Sequence, residues 1–279
     1  MSGARFGWLA SYPRSGNTWL RFLLASLQYP DAPLDINAIA LRTGVADRRE
    51  FDEYLGVESS ELSEAEIEIA RPALHTALIA DSLDPLIFRK VHDRYWHTRR
   101  GEAVFPAACS HGAVYLVRDP RDVALSLSAF KGIDIEQSID FINDSTSAFA
   151  DNRIQPKFQL IQPVGTWSQH VESWLDQREI PVHVLRYEDL LADTSARLAE
   201  VASFFGLPTE QAPAAASRVT FSALQTQEKT KEFVENPREG GEKFFRRGKA
   251  GGWRNKLTLE QCKRIETAHG AVMHRLAYL

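Results

Sequence analysis

The sequence predicts an α/β fold, a parallel β-sheet flanked by helices on both faces and carrying a helical insertion. Two observations predict it. Four apolar runs of strand length (residues 6–11, 86–91, 113–118 and 182–186) are separated by segments with helical periodicity, and strands that alternate with helices form parallel sheets covered on both sides. The first run also passes through a tight turn-rich stretch straight into a helix-spaced pattern, the opening move of many nucleotide-binding folds.

Taken in order, residues 6–11 form the first strand. Residues 12–17 carry turn formers, and from Thr18 the positions Trp19, Phe22, Leu23, Ser26 and Leu27 repeat at helical spacing. Residues 35–80 are charged and helical, with Ser63 and Glu66 spaced as a capping box ahead of Ile67 and Ile69. They read as a helical insertion over the sheet. Helical patterns follow at 121–130, 166–178 and 195–205, the last stopped by Gly206-Leu207-Pro208. Residues 131–163 and 225–249 are polar or charged, bear glycine and show little periodicity. They are expected to be mobile segments near a functional site. No internal repeat or low-complexity tract occurs, and a single domain spanning 1–279 is expected.

Composition narrows the function. The chain has 279 residues, 44% apolar and 25% charged, which is the profile of a globular protein able to bury a substantial core. A formal net charge of -4 argues against a nucleic-acid backbone as partner, so an anion site must be a local gathering of Arg and Lys. Cys109 and Cys262 stand alone, with no CxxC or Cys/His cluster, so neither a disulfide framework nor a metal site is expected. No signal-peptide run and no membrane-length apolar stretch is found, and the expected location is the cytoplasm.

Three segments carry anion chemistry. Pro13-Arg14-Ser15-Gly16-Asn17-Thr18-Trp19 sits between strand and helix, where backbone N–H groups and the helix dipole face an anion, and Arg14 adds a full charge. The loop is P-loop-like but lacks the first glycine and the lysine of G-x-x-x-x-G-K-[ST], which weakens a nucleoside-triphosphate reading. Arg118-Asp119-Pro120-Arg121-Asp122 leaves a strand end, where α/β sheets bind ligands, with Ser126 two turns along the next helix. Arg246-Arg247-Gly248-Lys249-Ala250-Gly251-Gly252-Trp253-Arg254 is a cationic, glycine-rich loop suited to wrapping a polyanion. Read singly, each has a plain alternative: a polar helix-capping turn, a surface ion-pair network and a solvated basic loop. Their coincidence in one chain favours a ligand.

Residues 11–19 resemble the 5′-phosphosulfate loop, written Y-P-K-S-G-[TN]-T-W, of the cytosolic sulfotransferases that use 3′-phosphoadenosine-5′-phosphosulfate (PAPS). Residues 118–126 resemble that family's 3′-phosphate motif, and 246–253 its R-K-G-x-x-G-D-W motif. Weaker matches lie at 165–174 and 185–190, so the resemblance runs from about Leu9 to Thr258. It implies that Arg14, Ser15, Gly16, Asn17 and Thr18 hold the 5′-phosphosulfate, and that Arg118, Ser126, Arg246, Arg247 and Gly248 hold the 3′-phosphate. Trp19, Tyr187 and Phe221 would enclose the adenine by stacking. Lys90-Val91-His92 matches the family's K-x-H, which makes His92 the base and Lys90 a group near the sulfuryl. PAPS is the implied co-substrate, its product PAP is released, no metal is needed, and transfer is in line.

Three departures stand out. Arg14 replaces a common lysine, and a guanidinium stabilises charge without donating a proton. Gly252 replaces an acidic residue before Trp253. The dimerisation pattern is broken, with Lys263 where Glu is expected, which leaves monomer and homodimer both open. The acceptor expected is a hydroxylated (or amine-bearing) small molecule. The polarity of residues 35–80 and 131–163, and a likeness to bacterial natural-product sulfotransferases, favour a bulky one. The competing readings are a P-loop nucleotide kinase and a catalytically inactive PAP-binding protein.

Overall fold

The computed structural model describes residues 3–38, 44–80, 82–150, 158–236, 243–246 and 248–279. In chain order, β1 (Arg5–Ala10) turns into α1 (Asn17–Gln28), and α2 (Arg48–Leu55) and α3 (Glu64–Ala80) precede β2 (Leu86–Val91). β3 (Ser110–Val117) is followed by α4 (Pro120–Lys131), α5 (Ile135–Asn143) and the two-residue strands β4 (Ala148–Phe149) and β5 (Gln162–Pro163). Then come α6 (Trp167–Asp176), β6 (Val182–Arg186), α7 (Tyr187–Ala192), α8 (Thr194–Phe204), α9 (Ala212–Arg218), α10 (Phe221–Thr230) and α11 (Leu259–Arg275).

The main sheet has the order β2-β1-β3-β6, and β1 pairs in parallel with both β2 and β3. It is the helix-flanked α/β arrangement that the alternating pattern predicts. β1 is buried from Phe6 onward, as a central strand must be when both of its faces are covered.

The chain divides into two compact units, one formed by residues 1–12, 43–115 and 144–183, the other by 13–42, 116–143 and 184–279. The first has an aromatic core. Trp8 packs edge-on against Phe105 at 5.2 Å and His75 at 5.0 Å, while its Nε1–H donates to Ser110 Oγ at 2.7 Å. That bond lets a buried indole keep its polar atom satisfied. Arg71 and Asp93 form a buried ion pair at 2.6 Å, and removing either partner would leave a charge stranded in a low dielectric. The helical expectation for residues 35–80 holds only from Arg48: Asp47 caps α2 through the amides of Arg49 and Glu50. Ser63 and Glu66 make the reciprocal capping box, Ser63 N donating to Glu66 Oε2 at 2.8 Å and Glu66 N to Ser63 Oγ at 3.3 Å. Residues 35–38 are not helical, and 39–43 lie outside the described residues.

In the second unit α1 packs on α8 and α9, and α4 on α5 and α11. Here two expectations are corrected. Within residues 131–163, 135–143 form α5, because Asp134 and Gln137 cap it reciprocally (2.7 and 3.1 Å) and it buries Ser138, Ile139 and Ile142. Within 225–249, residues 225–230 are the last turns of α10, begun by Thr220, whose hydroxyl accepts from Ala223 N. The parts of those segments at 151–157, 237–242 and 247 lie outside the described residues.

Candidate functional site

The loop after β1 belongs to the second unit, and its backbone is bent through two left-handed residues, Arg14 (φ 72°) and Gly16 (φ 105°). Glycine is required at 16 for a second reason. A Cβ there would sit 2.7 Å from Tyr187 Cδ2, so the ring lies flush on the loop backbone. Gly16 opens α1, whose first turn contains no acidic side chain, and the positive end of the helix is thus not neutralised from within. Ser15 is fully buried, and its Oγ has no partner among the described residues.

Arg14 extends away from its own loop. Its guanidinium lies in the corner between two nearly perpendicular rings, Phe130 (4.3 Å) and Phe244 (4.4 Å), and Nε donates to Ser126 Oγ at 3.3 Å. Burial first, then the facing charges of Arg118 and Arg246, push Arg14 down from its ordinary value to about 9, with Glu235 pulling the other way. Glu235 is itself held by both nitrogens of Arg21, at 2.8 and 2.6 Å. Arg14 therefore stays charged at neutral pH within a cluster of like charges, an arrangement that an anion would relieve. Its guanidinium keeps company with Ser126, Arg118 and Arg246, the residues assigned by resemblance to the 3′-phosphate, although its backbone lies in the 5′ loop.

Arg118 joins two loops. Its Nη1 donates to the carbonyl of Arg14 at 3.2 Å and its Nη2 to that of Lys249 at 3.1 Å, while the guanidinium lies 4.4 Å from the Tyr187 ring centre. Its Nε is buried without a partner among the described residues. The surface ion-pair alternative fails for this segment, because Asp119 is committed to a buried pair with Arg121 and Asp122 accepts the backbone N–H of Gly251 (2.6 Å) and Trp253 (3.0 Å). Asp122 thus ties the cationic loop to the start of α4.

Trp19 meets Tyr187 edge to face at 6.0 Å and donates from Nε1 to the carbonyl of Val219 at 3.1 Å. Gly248 has φ 56°, and a Cβ there would stand 2.4 Å from the Phe221 ring. The structure therefore brings Arg14, Gly16, Trp19, Arg118, Ser126, Tyr187 and Arg246 into linked contacts and sets Phe221 against Gly248. Arg247 lies outside the described residues. Asn17 and Thr18 are buried in the first turn of α1.

Lys90 and His92 belong to the first unit. Lys90 is paired with Leu9 across the β1–β2 ladder, and its carbonyl accepts from Val45 N at 3.1 Å. His92 Nδ1 lies 3.0 Å from the carbonyl of Ser11. A carbonyl can only accept, so Nδ1 carries the proton and the neutral ring has its lone pair on Nε2, the tautomer a general base needs. The backbone is held too, since His170 Nε2 donates to the His92 carbonyl at 3.0 Å while Tyr115 OH donates to His170 Nδ1 at 2.8 Å. Burial lowers His170 from 6.5 to about 3, which keeps it neutral. Sequence reasoning assigned His170 no role, although it falls in the weakly matching stretch 165–174.

An adenosine 3′,5′-bisphosphate fits what is present in the second unit: an orphaned buried hydroxyl and guanidinium nitrogen, a glycine cradle under an aromatic ring, and gathered guanidiniums. Among the described residues no group of three His, Cys, Asp or Glu could hold a metal ion, and no helix is long and apolar enough to cross a membrane.

The family model of the sulfotransferase domain matches residues 7–277. Rat (Rattus norvegicus) sulfotransferase 2A6 is 24% identical over 266 residues, covering 92% of this chain and 81% of that protein. Cytosolic sulfotransferase 1 of Arabidopsis thaliana is 24% identical over 277 residues, covering 92% and 75%. Among solved structures, retinol dehydratase with androsterone and inactive cofactor PAP superposes with a TM-score of 0.61 at 22% identity, over 98% of this chain and 82% of that one. Mouse sulfotransferase SULT7A1 complexed with PAP gives 0.60 at 18% identity, over 97% and 85%.

Proposed function

We propose that this chain, which belongs to the sulfotransferase domain family, holds PAPS on its loop at 14–19, Arg118, Ser126, Tyr187, Phe221 and residues 246–248, and activates the acceptor with His92. It is a PAPS-dependent sulfotransferase that acts on small-molecule acceptors and releases PAP. The observation that carries the residue assignment is the gathering of Arg118 and Arg246 about a buried Arg14, which burial first and these two charges next hold below the usual arginine range. Such a cluster is costly to fold around unless it serves an anion.

PAPS supplies a sulfuryl group already activated as a phosphosulfate anhydride. The chain's own residues do the rest. The first-turn amides of α1 and the buried Ser15 hydroxyl bind the 5′ end, while Arg118, Ser126, Arg246, Arg247 and Gly248 bind the 3′-phosphate, joined by the guanidinium of Arg14. Trp19, Tyr187 and Phe221 offer ring faces to the base. His92 takes the acceptor proton on Nε2, because the Ser11 carbonyl fixes the proton on Nδ1. Lys90 adds positive charge for the sulfuryl oxygens. Arg14 contributes charge and no proton.

The acceptor we propose is a bulky hydroxylated compound of natural-product type, a reading supported by the polarity of residues 35–80 and 131–163. The named relatives are animal and plant enzymes, among them steroid, flavonol and amine sulfotransferases, and the narrower likeness to bacterial enzymes rests on this chain's motifs alone. A single domain, a cytoplasmic location and a monomer or homodimer belong to the same proposal.

The test is a transfer assay with labelled PAPS over a panel of hydroxylated acceptors, run beside His92→Ala. The variant should lose transfer yet bind PAP as wild type does; turnover at the wild-type rate would remove His92 as base.

A further inference from the structure

The cationic segment reaches its place through side chains that lie outside every anion motif. On α10, Gln225 and Glu228 are one helical turn apart and face the backbone of Phe244, Phe245 and Arg246. Glu228 accepts the N–H of Phe244 on Oε1 at 2.5 Å and that of Phe245 on Oε2 at 2.9 Å. Gln225 Nε2 donates to the carbonyls of Phe245 at 2.9 Å and Arg246 at 3.1 Å. The complementarity is directional, with an acceptor-only carboxylate on two donors and an amide NH2 on two acceptors. Between these bonds the Phe245 side chain, buried at 4% exposure, packs against Phe22, Phe221 and Phe233.

What is held in this way is the part of the segment that carries function. Phe244 is one of the two rings that the Arg14 guanidinium lies against, and Arg246 contributes to the charge cluster around Arg14. The same helix begins with Phe221, pressed on Gly248. We infer that Gln225 and Glu228 are positioning residues for the donor, a two-residue clip that sets Arg246 and, through Phe244, Arg14 at the 3′-phosphate end of the site. This rests on the donor-site reading above. Neither residue touches the nucleotide; each acts through the backbone that it fixes.

The 3′ and 5′ ends can be separated by ligand, since AMP shares the adenosine and 5′-phosphate of PAP and lacks the 3′-phosphate. Binding of PAP and of AMP is measured by calorimetry for wild type, Glu228→Gln and Gln225→Met, with thermal melting of each unliganded protein. Glu228→Gln turns one acceptor into a donor facing an N–H, and Gln225→Met removes both donors at similar volume. The expected result is that PAP affinity falls on the order of tenfold, as for losing hydrogen bonds to a charged or buried partner. AMP affinity and kcat at saturating PAPS should stay near wild type. Equal losses for PAP and AMP, or no loss in either variant, would overturn the clip. Wild-type protein that binds PAP no better than AMP would instead overturn the 3′-phosphate site itself, and the clip with it.

Discussion

Replacing His170 by Gln tests whether the histidine that holds the His92 carbonyl is structural and neutral. Gln keeps a donor for the His92 carbonyl and an acceptor for the Tyr115 hydroxyl, so both bonds survive, but it cannot titrate. Burial lowers His170 to about 3 from an ordinary 6.5, so between those values the unfolded chain binds a proton that the folded chain refuses. Stability is therefore lost as pH falls through 6.5 towards 3. Two pH units below 6.5, the difference in proton binding at this one site amounts to about 3 kcal/mol. His75 and His269 are depressed by burial in the same direction, so the wild-type acid limb contains their contributions as well. Urea unfolding followed from neutral pH to about pH 4.5 gives the slope of stability against pH, and the variant should show a slope smaller by up to about 1.4 kcal/mol per pH unit, one proton's worth. A variant with the wild-type slope would refute the buried neutral state of His170. A variant that loses transfer as completely as His92→Ala would refute the equivalence of the two hydrogen-bonding side chains.

Arg118→Ala removes a guanidinium that ties the carbonyls of Arg14 and Lys249 and faces Tyr187; PAP binding by calorimetry should weaken by about 1–3 kcal/mol, as for a charged hydrogen-bond partner. Gly248→Ala forces a Cβ to within 2.4 Å of the Phe221 ring at a left-handed φ. It should raise KM for PAPS while leaving the melting temperature of the unliganded protein within a few degrees, because the strain falls on a loop and not on the core.

The sheet and the loop that follows its first strand were legible in the sequence because their signals are local. β2 and β6 coincide with the apolar runs at 86–91 and 182–186, and the turn at 12–17 announces itself by Pro13 and Gly16. α5 was missed because nine residues hold too few periods for its stripe of Ile139 and Ile142 to stand out, and the Asp134–Gln137 box lacks the Ser or Thr that marks the commoner form. α10 was missed for a different reason: Gln225 and Glu228 are polar residues turned toward backbone, and periodicity records burial, not hydrogen bonding. The direction of the Arg14 side chain was not readable either. A motif fixes a backbone conformation, whereas the side chain's placement depends on Phe130 and Phe244, which lie 116 and 230 positions further along. Histidine roles divide in the same way. His92 follows a strand directly, while His170 reaches its carbonyl only through tertiary structure.

The two rings around Arg14 also bear on the entropy of donor binding. A long cationic side chain in water samples many rotamers, and fixing one on a ligand costs about 0.5–1.5 kcal/mol of affinity. Here Phe130, Phe244 and the Ser126 hydroxyl have already selected one orientation in the unliganded protein. The ordering cost is borne when the chain folds, and in the proposed site a nucleotide would meet a rigid receptor at that corner.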